Sequence, residues 1–125
     1  MGRIYKELRI NGKEAWTLFD TGSRNTYIVS AVAQDMSQLP TAQPRRVALG
    51  GKVRMLDRLC TFPAAVENKM LDLTAFVIDE LGTDEKGRPI EILFGALDMQ
   101  RWGITPMPAE EKLDLSHYPE EFIEY

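Results

Sequence analysis

The sequence predicts an all-β fold, a closed or sandwich-like β domain with one or two short helices. Three observations carry that reading. Apolar and β-branched residues come in short runs, roughly seven to nine of them. Two-residue turn signals, Asn11-Gly12 and Gly50-Gly51, separate several runs. The remaining spacing leaves room only for brief helices.

Taken in order, Arg3 to Ile10 has strand character, and Asn11-Gly12 turns it into a return strand, Lys13 to Phe19. Alternation along the return strand puts Trp16, Leu18 and Asp20 on one face and Ala15, Thr17 and Phe19 on the other. Thr26 to Val29 is a further strand. Ser30 is placed to N-cap a short helix through Met36, which Pro40 ends at the latest. Arg45 to Leu49 and Lys52 to Leu56 flank Gly50-Gly51 as a hairpin with a mobile tip. Cys60 to Val66 and Met70 to Ile78 form another pair, turning at Asn68-Lys69. Gly82 to Pro89 is a polar loop. Ile90 to Phe94 is an apolar strand, and Gly95 releases the chain into a short helix, Ala96 to Trp102, ended by Gly103.

The chain has 125 residues, enough for one domain, and is 44% hydrophobic and 27% charged, as an ordinary globule is. Its net charge of -4 is unevenly placed. Residues 106–125 carry six acids and one base, with Pro106, Pro108 and Pro119. This acidic, Pro-containing tail reads as an appendage to a body at 1–105. Its Leu113, Leu115, Tyr118, Phe122, Ile123 and Tyr125 are too apolar for a solvated tail and are expected to dock, on the body or on a second subunit. The acidic balance and the lack of a basic cluster argue against nucleic acid as a partner. No apolar run is long enough for a membrane span. The N-terminus lacks the apolar stretch of a secretory signal. The single cysteine, Cys60, allows no intrachain disulfide, which fits a cytoplasmic location.

The most informative segment is Trp16 to Ser23. An acid, Asp20, ends an apolar strand, and Thr21-Gly22-Ser23 follows at once. A carboxylate there is expensive to bury unless it is hydrogen-bonded or paired. Asp-Thr-Gly alone arises by chance in about one in 40 chains of this length. The surroundings sharpen it: the chain re-enters a strand afterwards, and a second element, Leu93-Phe94-Gly95, closes the body.

On these residues the chain resembles the retropepsin-like aspartic proteases, the single-lobe relatives of pepsin. The resemblance covers about residues 3–104. It rests on Leu18-Phe19-Asp20-Thr21-Gly22-Ser23, the glycine hairpin at 45–56, and Ile92-Leu93-Phe94-Gly95 before a helix. It implies a retropepsin-like closed β-barrel and an aspartic endopeptidase acting on peptide or protein substrates, without metal or other cofactor. One Asp-Thr-Gly per chain implies a symmetric homodimer, with Asp20 and its mate sharing one proton and holding a water. Thr21 would lock the two loops together beneath the pair, and Gly22 would offer a substrate-facing carbonyl. Ser23, Gly50, Gly51 and Phe94 would contact substrate, the two glycines at the tip of a flap. The alternative is a catalytically silent dimerisation or peptide-binding module with the same fold. A third reading, a β-sandwich with a chance Asp-Thr-Gly, predicts a monomer.

The chain departs from the retroviral pattern. Ser23-Arg24-Asn25 and Ala96 replace the residues that form a structural ion pair there; a reversed pair, Arg24 with Asp98, is one candidate substitute, set against surface charges that pair with nothing. Elsewhere the residues point to little chemistry. His117, the only histidine, reads as a surface residue, and Cys60 as a buried small hydrophobe. Gly50-Gly51-Lys52 fails as a phosphate loop, since no Ser or Thr follows Lys52. Asp84-Glu85 and Glu110-Glu111 read as solvated, and Trp16 and Trp102 as core.

Overall fold

Asn11 and Gly12 both take positive φ, 50° and 77°, the backbone that a tight hairpin turn needs. From that turn the sheet can be traced outward. The computed structural model describes residues 3–124. Among them run β1 (Arg3–Ile10), β2 (Lys13–Asp20), β3 (Tyr27–Val29), α1 (Ser30–Ala33), β4 (Gln38–Leu49), β5 (Lys52–Val66), β6 (Lys69–Ile78), β7 (Ile92–Phe94), α2 (Ala96–Trp102), β8 (Thr105–Met107) and β9 (Lys112–Asp114). A 3-10 turn, Pro108–Glu110, separates the last two strands.

The main sheet has the order β1-β2-β7-β3-β6-β5-β4 and closes on itself where Arg9 of β1 pairs with Ala65 of β5. The β1–β2 register sets Ile10 opposite Lys13 and Arg3 opposite Asp20. β2 and β7 run parallel, Leu18 beside Leu93 and Phe19 beside Phe94. β7 is antiparallel to β3, which runs parallel to β6. The two faces of β2 separate as alternation requires: Ala15, Thr17 and Phe19 are buried inside, while Leu18 and Asp20 face a groove.

Two apolar clusters result. The larger holds Leu8, Phe19, Ile28, Leu73, Ile92 and Phe94. The Phe19 and Phe94 rings meet with centroids 4.6 Å apart. Burying each contributes roughly 1.5–3 kcal/mol, and the ring pair about 1 kcal/mol more. The smaller cluster, Leu18, Tyr27, Leu56, Ile78, Ile90 and Leu93, packs beneath the groove.

Several boundaries differ from expectation. β4 starts at Gln38, upstream of Arg45, because Pro40 sits on the outermost strand, where its missing N–H costs no ladder bond. The register shifts between Pro40 and Arg45. β5 is one strand, with Asp57 and Arg58 simply facing out; Arg58 Nε donates to Gln38 Oε1 at 3.1 Å. Ser30 is the first helical residue and no cap; extended Val29 takes the cap position without a side-chain bond. The β5–β6 turn is Glu67-Asn68, since Lys69 already pairs with Val66. Pairing of β7 begins at Ile92, because the Ile90 N–H goes to Gly82 O instead.

The tail packs on its own chain. Leu113 is buried, and Leu115 and Tyr118 pack against the larger cluster. The Tyr118 ring stacks on Trp102, its hydroxyl donates to Met70 O at 2.6 Å, and Lys69 pairs with Glu120 at 2.9 Å. Gly103 caps α2 at φ 65°, where an added Cβ would lie 2.1 Å from His117 O. Phe122 and Ile123 stay mostly exposed, and Tyr125 lies outside the described residues.

Candidate active site

β2 delivers Asp20 to the rim of the groove, and the following turn closes on it. Asp20 Oδ1 accepts the Gly22 N–H at 2.8 Å, and Asp20 O accepts the Ser23 N–H at 3.1 Å. Oδ2 faces Arg3 Nε at 3.4 Å. The carboxylate is 17% exposed, open to the groove but not loose.

The turn is fixed from behind by the start of α2. Ala96 N–H donates to Ser23 O at 2.7 Å, and Leu97 N–H to Arg24 O at 3.1 Å. Gly95 makes this approach possible, because a Cβ there would lie 2.2 Å from Asn25 O. Gly95 N–H donates to Thr26 Oγ1 at 3.1 Å, and Thr26 Oγ1 donates onward to Asp98 Oδ2 at 2.5 Å. Burial raises the Asp98 carboxyl above the usual range; the Thr26 hydroxyl and Arg101 oppose that shift. The candidate Arg24–Asp98 ion pair therefore does not form: Asp98 turns inward to Thr26.

The groove measures about 640 Å³. Its floor is Leu18, Ile78, Ile90 and Leu93, its roof is the β4–β5 hairpin from Ala48 to Arg54, and Leu81 to Thr83 form a wall. Asp20, Gly22, Ser23 and Gly50 all line it. Gly51 completes the hairpin tip at φ 78° without lining the groove, and Thr21 is exposed at the turn. Phe94 is a correction: its side chain is fully buried against Phe19, and its neighbour Leu93 faces the groove instead. None of the described tail residues lines the groove.

Three features escaped the sequence reading. Arg3 beside Asp20 follows from the two-residue turn at 11–12, which forces that register. Trp16 is no core residue: it is only partly buried, its ring stacks with Tyr5 (centroids 5.7 Å apart), the Arg88 guanidinium lies 4.1 Å from its centroid, and Nε1 donates to Asp84 Oδ2 at 2.9 Å. Nor is Asp84 merely solvated, since Oδ1 accepts the N–H groups of Arg88 and Lys86, which hold its carboxyl below the usual range. This staple ties the wall to β2. Last, Lys52 and Arg54 pair with Asp79 and Glu80 across the groove mouth. Away from the site, Trp102 is buried as expected. Burial pushes the Cys60 thiol up to about 11, so it carries little thiolate.

A family model described as aspartyl protease matches residues 7–96, spanning both the Asp20 turn and Gly95. The chain belongs to the aspartyl protease family. Within that family its architecture is the retropepsin-like, single-lobe acid protease fold. The retroviral protease-like domain of Ddi1 from Leishmania major superposes with a TM-score of 0.65 at 14% identity, over 94% of this chain and 90% of that one. The foamy viral protease-reverse transcriptase, solved with an RNA/DNA hybrid, gives 0.57 at 10% identity over 84% of this chain and 12% of that chain. No curated protein matches the sequence.

Proposed function

We propose that the protein is an aspartic endopeptidase working as a homodimer, with one Asp20 from each subunit. The observation that carries this reading is the Asp20 turn: a groove-facing carboxylate on a backbone pinned by α2. Each chain brings one such turn, and water activation by this chemistry needs two carboxylates, so a second copy must bring the other. Leu97, exposed beside the pinned turn, supports a surface that a second copy covers.

Two like charges in hydrogen-bond reach hold one proton between them and titrate as a pair. The ionised carboxylate takes a proton from the water as the water oxygen attacks the scissile carbonyl. The protonated carboxyl donates to the carbonyl oxygen. Collapse of the tetrahedral intermediate breaks the C–N bond, with a proton passing to the leaving nitrogen. The roof hairpin, turning at Gly50-Gly51, closes over an extended peptide held by strand-like hydrogen bonds. The apolar floor favours an apolar residue at the cut.

Wild-type protein should cleave a diverse peptide mixture between pH 4 and 7, best in mildly acidic solution, and sediment as a dimer. Asp20→Asn should lose at least about a thousandfold in kcat/KM. Cleavage that survives the substitution, or activity rising steadily to pH 9, overturns the reading. One observation favours a second reading, the silent binding module: Arg3 already occupies Asp20 Oδ2. In that case peptides bind and none is cut.

A further inference from the structure

Lys52 and Arg54 line the roof of the groove, Lys52 at its outer edge with 67% of its side chain exposed. Lys52 Nζ lies 3.6 Å from Glu80 Oε1, Arg54 Nε 2.9 Å from Asp79 Oδ1, and Arg54 Nη2 3.4 Å from Glu80 Oε1. The Arg54 side chain is only 21% exposed, whereas Asp79 and Glu80 are 69% and 61% exposed. The arginine therefore sits inward and its acidic partners sit in water. Pairs with such exposed partners are weak and exchange readily. A carboxylate brought in by a peptide and shielded under the roof is a better partner, because charge-assisted bonds strengthen as water leaves.

The floor beneath is apolar. An extended peptide sends successive side chains to opposite sides. A residue seated on Leu18, Ile78 and Leu93 thus sends its neighbours toward the roof cations. Among the groove-lining residues the charge balance agrees in sign: Arg3, Lys52 and Arg54 stand against Asp20 and Glu80, while Asp79, the nearest partner of Arg54, lies outside the lining. Two Asp20 carboxylates sharing one proton would tip it further toward positive.

Resting on the aspartic endopeptidase reading, we propose that the groove selects extended peptides in which Asp or Glu adjoins the apolar residue on the floor. Lys52 and Arg54 read that carboxylate by exchanging Asp79 and Glu80 for it.

The test uses two peptides differing only by Glu or Gln next to the apolar residue at the cut. Wild-type protein should favour the Glu peptide about tenfold in kcat/KM at low salt, and less as salt rises. In Lys52→Gln/Arg54→Gln the preference should fall to within about twofold, the Glu peptide losing several-fold more than the Gln peptide. Equal use of both peptides by the wild type, or a preference that survives the double substitution, overturns the proposal. Binding of the same labelled pair to Asp20→Asn, with and without the double substitution, reads the preference without chemistry. Cation-dependent Glu preference in binding with no cleavage by the wild type sustains the proposal and fails the endopeptidase reading alone. Equal binding of the two peptides overturns the proposal.

Discussion

The Asp20 turn and the Gly50-Gly51 hairpin face each other across one groove and are held by opposite means. The turn is held by backbone: Ala96 and Leu97 N–H groups on the carbonyls of Ser23 and Arg24, and Gly95 packed where no side chain fits. The hairpin tip has open space around both glycines; beyond its own ladder and the packing of Leu49, it is tied to the rest of the chain by ion pairs at the water's edge. Backbone bonds inside a packed shell cannot yield without unfolding something, whereas exposed ion pairs yield to salt or a competing charge. The chain is rigid where a carboxylate must stay in place and yielding where a peptide must enter.

The sharpest way to break the contrast is Gly95→Ala. The added methyl meets backbone, not a flexible side chain end, at 2.2 Å. It should cost about 3 kcal/mol or more and lower the melting temperature by roughly 10 °C. A variant that melts within two or three degrees of wild type would show that the turn can back away, and the rigidity argument would fall.

Thr26→Val keeps the shape and removes both hydrogen bonds of Oγ1. The Gly95 N–H loses its acceptor and Asp98 its donor. Leaving such groups unpaired costs about 2 kcal/mol, readable as a lower midpoint in urea unfolding.

Asp98→Asn has a smaller effect that depends on pH. Burial raises the Asp98 carboxyl above its ordinary 3.8, so in the window just above that value the folded chain binds more proton than the unfolded one. Stability therefore falls as pH rises through the window, and the cost is fully present above it. Asn can still accept from Thr26 but does not titrate. The variant should gain on the wild type as pH climbs from 4 and keep the gain at 7; a constant difference across that range would show that Asp98 carries no such linkage.

Much of this was legible in the sequence, for identifiable reasons. Asn11-Gly12 fixes the register of the first hairpin, and alternation along Lys13 to Asp20 sorts core from groove. The Asp20 turn and Gly95 could be found because each needs a residue type that little else can replace. What stayed hidden depends on contacts far apart in the chain. Trp16 reads as core from its apolar neighbours, yet Asp84 and Arg88, some seventy residues on, draw it into a surface staple. Thr26 gave no sign that it joins Gly95 to Asp98. Phe94 sits next to a groove residue, and parallel pairing with β2 turned it inward. Pro40 and Asp57-Arg58 looked like breaks, although an outer strand tolerates both.

The smallest expected effect tests the other half of the contrast. Lys52→Gln/Glu80→Gln removes one cation and one acid from the groove mouth together, leaving the net charge unchanged. Because both side chains are more than half exposed, the pair is worth less than about 1 kcal/mol, and urea midpoints should barely move. If the hairpin is held mainly by such pairs, proteolytic nicking near Gly50-Gly51 should speed up several-fold, and high salt should speed the wild type toward the same rate. Faster nicking with an unmoved midpoint would locate the loosening in the hairpin alone. Parallel loss of both would mean that the hairpin and the Asp20 turn are parts of one cooperative unit, and the division between rigid turn and yielding roof would not stand.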